Sequence, residues 1–396
     1  MIHTQALKMQ SYIFDRLYCK EINLFYDYIT DNSEGSNTAN LPNLTEISAQ
    51  APNPCGYSTG MEDSSLNGGI MLDAVVAAYK TTGDEKYKNL AREIYSGLRL
   101  CAEAHGYAGY IARSVSPFDK KSVYFDSSRD QFTNWVYGAY RYYESGIATE
   151  EHKESIKSCI IAVAEKCLRD VNEESNYSLL RADGKSGLVL GMWGSLGAHE
   201  YLRMPMFYLA AFAVSGDTKW KKLYEFYRDE AIEESFKIDC STLWHAYCSL
   251  QMQYSVCLCR DLEDDENYKR RYTELSEKIA DYYIARIEAM CKDATPEKLT
   301  GKFMPWRTLT ARYRGIVGGR AYYNPAQPKE ATDAFYILRD IGNSSHVIAL
   351  AGKGTPELTQ LILGVMDNVD ISNHYTGGPI DLYGAYMLLE YNNRVK

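Results

Sequence analysis

The chain has 396 residues, with 43 Lys and Arg against 52 Asp and Glu, for a formal net charge of −9. Such an acidic chain lacks the basic face that nucleic acid requires and the polybasic patch that an anionic bilayer attracts. Its 45% hydrophobic content excludes disorder, and no apolar run reaches the ~18 residues of a membrane span.

The first residues, MIHTQALKMQSYIFDRLYCK, contain no apolar signal core. A cytoplasmic protein is expected, or a periplasmic or exported one if a leader has been trimmed. Beyond that point apolar residues recur at i, i+3 and i+4, which predicts helix almost throughout. Helical segments fall near 8–31, 68–81, 84–104, 129–145, 150–170, 199–215, 217–234, 241–260, 265–291, 330–340, 355–369 and 379–392. The ten cysteines are scattered without a CxxC pair and sit mostly in apolar helical patterns, as buried reduced thiols do. Zinc, P-loop and dinucleotide motifs are absent, and GMWGSLG (191–197) has the wrong spacing for a phosphate loop. No metal or cofactor is called for. Tyrosine is abundant, at 34 residues, and suits both helix packing and a wet, sugar-like ligand.

Two junctions repeat. AAYKTTGDEKYKNLA (77–91) matches AAFAVSGDTKWKKLY (210–224), and Gly83 and Gly216 lie 133 residues apart, close to two of the 66-residue units that a sixfold repeat would have. In each, Gly stops one helix and Asp caps the next. RYYESGIATEEH (141–152) and CRDLEDDENYKRRY (259–272) are looser copies. The connections at 82–83, 146–149, 216 and 261–264 are tiny, and that at 341–354 is longer. Those at 32–67, 105–128, 171–198, 292–329 and 370–378 are mostly long and alternate with the tiny ones. In up-down helices this puts the long loops on one rim, where function collects. Helices after long loops are poor in charge and read as an inner ring; those before them are rich in Lys and Glu and read as an outer ring. The expected fold is all-α, an (α/α)6 toroid of six helical hairpins, as a single domain over 1–396.

This organisation resembles the six-hairpin glycosidase superfamily, which includes the unsaturated glucuronyl and rhamnogalacturonyl hydrolases. The TGDEKY and SGDTKW junctions are of the kind these toroids use after inner helices. The stretch YFDSSRDQFTNWVYGAYRYY (124–143) is similar to the Asp-rich start of one of their inner helices. The resemblance implies carbohydrate chemistry at the open end of the ring.

Glycosidic cleavage normally uses two carboxyl groups, and the starts of the inner helices, which face the toroid mouth, are where they are expected. Asp126 and Asp130 are four apart and stack on one face if their helix starts early; they are the expected central carboxylates, with Glu62 and Glu330 as alternatives for the acid. Helix N-terminal amides lower an Asp pKa, which suits a base or nucleophile. Arg129 and Arg312 are candidates for binding a substrate carboxylate. Trp193, Trp244 and Tyr322 are candidate stacking platforms. His199 lies near Glu200 and Arg203 and shares a helical face with Arg203. His245 follows Trp244, one turn inside a helix, and His374 and Tyr375 precede the last inner helix. The leading expectation is a glycoside hydrolase acting on an oligosaccharide, one that carries uronic acid if the arginines bind it. A polysaccharide lyase or sugar epimerase using His or Tyr, and a toroid that binds glycan or protein without chemistry, are the alternatives.

Overall fold

The computed structural model describes residues 2–30, 40–300, 303, 305–317 and 319–395. Residue 31, the end of the first predicted helix, and the parts of the predicted rim loops at 32–39, 301–302, 304 and 318 lie outside the described residues.

In chain order the principal helices of the first half are α1 (Thr4–Tyr12), α2 (Ser64–Thr82), α3 (Glu85–Glu103), α4 (Arg129–Glu144), α5 (Glu150–Asp170) and α6 (Arg203–Ser215). The second half adds α7 (Thr218–Phe236), α8 (Ala246–Leu262), α9 (Glu266–Ile284), α10 (Lys329–Leu350), α11 (Pro356–Asp367) and α12 (Gly378–Val395). The even-numbered helices form an inner ring: each packs on the next, and α12 closes on α2. The odd-numbered helices lie outside, each against the inner helix before it, and α1 packs on α12 so that the sixth hairpin joins the two ends of the chain. The fold is an all-α (α/α)6 toroid. Helix composition explains the sorting. In α2 and α6 nearly every residue is buried, whereas α3 buries one apolar stripe and shows its charges to water.

At one rim the connections are tight. Gly83 and Gly216 stop α2 and α6 with φ of 68° and 70°, a conformation that costs any other residue a Cβ clash. Asp84, Asp217 and Asp265 then accept from the backbone N–H two residues on, at 3.0, 3.0 and 2.8 Å, and Thr149 caps α5 from its hydroxyl. All ten cysteines are buried and unpaired. No described helix is long and apolar enough to cross a membrane.

Several expectations need correction. The first predicted helix ends early: α1 runs into a π-turn at Ile13–Leu17, and the chain then folds into a small antiparallel ribbon of β1 (Tyr18–Cys19) and β2 (Leu24–Phe25). Its turn rests on α3, where a Cβ on Gly97 would lie 2.1 Å from the Asn23 carbonyl oxygen. The segment 341–354 is not a loop. Helix α10 continues to Leu350, and Gly342 is a contact glycine whose Cβ would meet the Asp381 backbone of α12 at 2.4 Å. The helix expected over 265–291 breaks after Ile284, and a short separate helix spans Ile287–Asp293. Two further antiparallel ribbons, unforeseen, lie in the long connections: β3 (Ser178–Leu180) with β4 (Ser186–Gly191), and β5 (Ala311–Val317) with β6 (Arg320–Pro325).

Candidate functional site

The long connections gather at the N-terminal ends of the inner helices, around a cavity of about 440 Å³. Residues from the starts of α2, α4, α6, α8 and α10 line it, together with Leu188 and Val189 of β4, Arg314 of β5 and Asn324 of β6. Of the predicted long loops, only 370–378 contributes no wall residue.

Five arginines and four carboxyl groups line this cavity: Arg113, Arg129, Arg203, Arg314 and Arg339 with Glu62, Asp63, Asp130 and Glu200. Most are paired. Asp130, in the first turn of α4, accepts from Arg203 Nη1 of α6 at 2.5 Å. Burial opposes its charge, but Arg203 and Arg129 outweigh burial and hold its carboxyl below the usual range. Arg129 pairs with Glu200, whose carboxylate also lies 3.4 Å from His199 Nε2. Burial pushes His199 down to about 4, so its ring is neutral at pH 7.

Asp63 occupies the N-cap position of α2 but makes no side-chain cap bond. Its carboxylate instead accepts from Arg113 Nη1 at 3.1 Å and Gln131 Nε2 at 2.6 Å. Arg113, 2% exposed, also donates to the Tyr57 hydroxyl at 2.6 Å and stacks over that ring. Beside this pair Glu62 accepts from the Ser58 N–H at 2.9 Å. Burial, then the neighbouring Asp63 charge, pushes Glu62 up to about 7. The loop that carries both acids is held from behind by buried Asp27, which accepts from the N–H groups of Glu62 and Asp63 and from Asn67. Arg314 is exposed on β5 and has no carboxylate partner among the described residues.

On the α8 side, His245 occupies the N-cap position, and its Nδ1 lies 2.8 Å from Asp340 Oδ2. The ring stacks on Tyr336 at 4.0 Å and 5°, and Trp244 beside it is 82% exposed at the cavity lip.

The structure therefore brings Glu62, Asp130, Arg129, His199, Trp244 and His245 to one cavity, and places the other predicted residues elsewhere. Helix α4 starts only at Arg129, so Asp126 does not stack on Asp130. Asp126 is fully buried, accepts from Leu188 N–H at 3.1 Å and Cys55 Sγ at 3.4 Å, and ties β4 to the neighbouring loops. Burial pushes its carboxyl up. Trp193 packs edge-on against Tyr201 and Tyr227. Tyr322 is 1% exposed and packs behind Tyr57 rather than into the cavity. Arg312 is exposed on β5, outside the lining. His374 is buried with Nε2 2.8 Å from Thr376 Oγ1, and Tyr375 packs on Phe303. Glu330 lies in an adjoining hollow of about 500 Å³ that shares the His245 and Tyr336 wall. Helix α6 begins at Arg203 and α8 at Ala246, so His199 and His245 both precede their helices instead of lying within them.

Asp63, Arg113, Arg203, Glu200, Arg314 and Arg339 were not among the predicted site residues. The signal for three of them was present. Glu200 and Arg203 lie in the same short stretch as His199, and Arg314 lies two residues past Arg312 in an arginine-rich loop.

No protein-family model matches the sequence, and no curated protein matches it. Among solved structures, the chain is similar to a sugar epimerase from a ruminal bacterium, at 11% identity, 99% of each chain and a TM-score of 0.48. It is similar to cellobiose 2-epimerase from Bacillus thermoamylovorans B4167, at 12% identity over 99% of this chain and 100% of that one, with a TM-score of 0.49. A glycoside hydrolase family 76 mannosidase from Bacteroides thetaiotaomicron VPI-5482 matches at 10% identity, 98% and 99% coverage and a TM-score of 0.48.

Proposed function

We propose that this chain is a carbohydrate-processing enzyme, and specifically a glycoside hydrolase that takes an oligosaccharide bearing a uronic acid. One observation carries the reading: a single cavity is lined by two carboxyl groups whose surroundings drive them apart. Glu62 is pushed up to about 7 and keeps a proton near neutrality, while Asp130 is held ionised by Arg203 and Arg129. A protonated acid and a charged partner are the pair that glycosidic cleavage uses. In this reading Glu62 protonates the leaving oxygen and Asp130 acts on the opposite side of the sugar. Arg314, without a carboxylate partner among the described residues, receives the substrate carboxylate in place of Arg312. Trp244 supplies an exposed face for a sugar ring at the lip.

The test is turnover of uronate-containing oligosaccharides, followed by reducing ends and by the ultraviolet absorbance of unsaturated products. Glu62→Gln preserves size and the acceptor for Ser58 N–H but removes the transferable proton. It should lower hydrolysis by roughly 10² to 10⁴ with the fold retained. A second reading, sugar epimerisation, is favoured by the His245–Asp340 contact of 2.8 Å, since a carboxylate-oriented imidazole is a suitable base. If Glu62→Gln keeps its rate while His245→Ala interconverts no epimers, epimerisation replaces hydrolysis.

A further inference from the structure

Below the cavity floor the inner helices carry polar residues toward the ring axis where an apolar core would be expected. On α10, Arg339 lines the cavity, and Asn343 and His346 follow at one-turn intervals on the same face. On α8 the same spacing runs from Tyr247 at the cavity to Gln251 and Tyr254. Tyr137 of α4 stacks on Tyr254 at 4.1 Å, and the Tyr254 ring meets His346 edge-on at 5.4 Å. The nearest carboxylate to His346 is Asp73 of α2, at 3.7 Å. Asp381 of α12 faces Arg339 and Tyr254.

Asn343, His346, Gln251, Tyr254, Tyr137 and Asp381 are no more than 2% exposed, yet eight of their polar side-chain atoms have no hydrogen-bond partner among the described residues. They are both ends of the Asn343 amide, both ring nitrogens of His346, the hydroxyls of Tyr137 and Tyr254, Gln251 Oε1 and Asp381 Oδ1. Buried polar atoms in folded proteins are hydrogen-bonded, to protein or to ordered water. So many unmatched atoms from four helices, converging on one axis, cannot be scattered packing faults.

We infer that the ring axis beneath the cavity is a hydrated shaft, in which a file of ordered waters hydrogen-bonds these atoms and joins the cavity floor at Arg339, past Asp381, to the His346–Asp73 pair. The site is polar on several sides, which is what an internal water needs to make its usual two to four hydrogen bonds. Donors and acceptors are both present: the tyrosine hydroxyls and the amide nitrogen donate, and Gln251, Asp381 and the amide oxygen accept. At about one buried water per 27 residues, a file of a few waters is well within what a chain of this size holds.

The test does not depend on catalysis. Oxygen-17 relaxation dispersion of the intact protein counts long-lived internal waters, and Asn343→Leu with His346→Leu should reduce that count by two or more while circular dichroism is unchanged. An unchanged count in the folded variant overturns the shaft. Where the double variant does not fold, electron density of the unaltered protein decides. Peaks at about 2.7–3.2 Å from Asn343 Oδ1, His346 and Tyr254 Oη support it. Side chains swung into direct contact with one another, with no density between them, overturn it.

Discussion

At the tight-turn rim, Gly216 and Asp217 reverse the chain in two residues, and ion pairs such as Lys219–Glu165 at 2.6 Å are about half exposed. At the opposite rim the chain takes long excursions, and two ion pairs at the cavity are sunk into the ring: Arg203 is 2% exposed in its pair with Asp130, and Arg113 3% in its pair with Asp63. Solvated pairs at a turn ask little of the fold. Buried pairs cost desolvation that their mutual attraction barely offsets. A ring that needed only stability would fill the long-loop end with apolar side chains, as it fills the space between its inner and outer helices. The buried charges that line the cavity at the long-loop end are the ones on which the proposed function rests.

The contrast is broken most severely at Arg203. Arg203→Ala leaves Asp130 without its closest cation, and should cost about 3–5 kcal/mol of unfolding free energy together with most turnover. Lys219→Ala, on the tight rim, should cost at most about 1 kcal/mol and leave turnover alone. Denaturant unfolding of both variants measures the difference. Equal losses would mean that the two rims are energetically alike.

The tight rim was readable because its rules are local. A Gly that must turn left-handed and an Asp that must cap are fixed by their own few residues, so the repeat of TGD and SGD reported the hairpins and their spacing. The long-loop rim obeys longer-range rules. Asp63 stands at the N-cap position of α2, yet its partners, Arg113 and Gln131, are 50 and 68 residues away. Asp126 and Asp130 looked paired because of a four-residue spacing, but the start of α4 at Arg129 separates them. Gly342 looked like a loop residue, although what it serves is the approach of α12. Trp193 and Tyr322 looked like platforms from composition alone, and their neighbours turned them into packing residues.

Four buried groups of the long-loop rim make the stability of the chain depend on pH. Glu62 rises from 4.5 to about 7 on folding and Asp381 from 3.8 to about 7, mainly through burial. Between those values the folded chain holds more protons than the unfolded one, so both groups make stability fall as pH rises toward 7. His199 and His374 fall from 6.5 to about 4, again through burial. Between about 4 and 6.5 the unfolded chain holds more protons there, so the histidines make stability rise with pH. The two trends oppose each other over the same interval. Glu62→Gln deletes one falling component, so its unfolding free energy should rise more steeply from pH 4.5 to 6.5 than that of the unaltered chain. Parallel pH profiles for the two proteins would show that Glu62 titrates normally in the folded state.

A second substitution on the tight rim, also small in its expected effect, isolates local backbone strain from everything else. Gly216 has φ of 70°, and a Cβ built on it meets nothing within 4 Å. Gly216→Ala therefore introduces no collision with another element and removes no contact; it only forces an L-residue to stay left-handed against its own backbone, at about 1–2 kcal/mol. Some of that loss is softened because alanine also has fewer unfolded conformations to give up. Turnover should be unchanged, since the end of α6 that carries Gly216 is opposite the end that carries Arg203. Unfolding free energy and rate measured on the same preparation decide it. A rate that falls along with stability would mean that strain at the tight turn reaches the cavity through α6, and that the two rims are mechanically coupled.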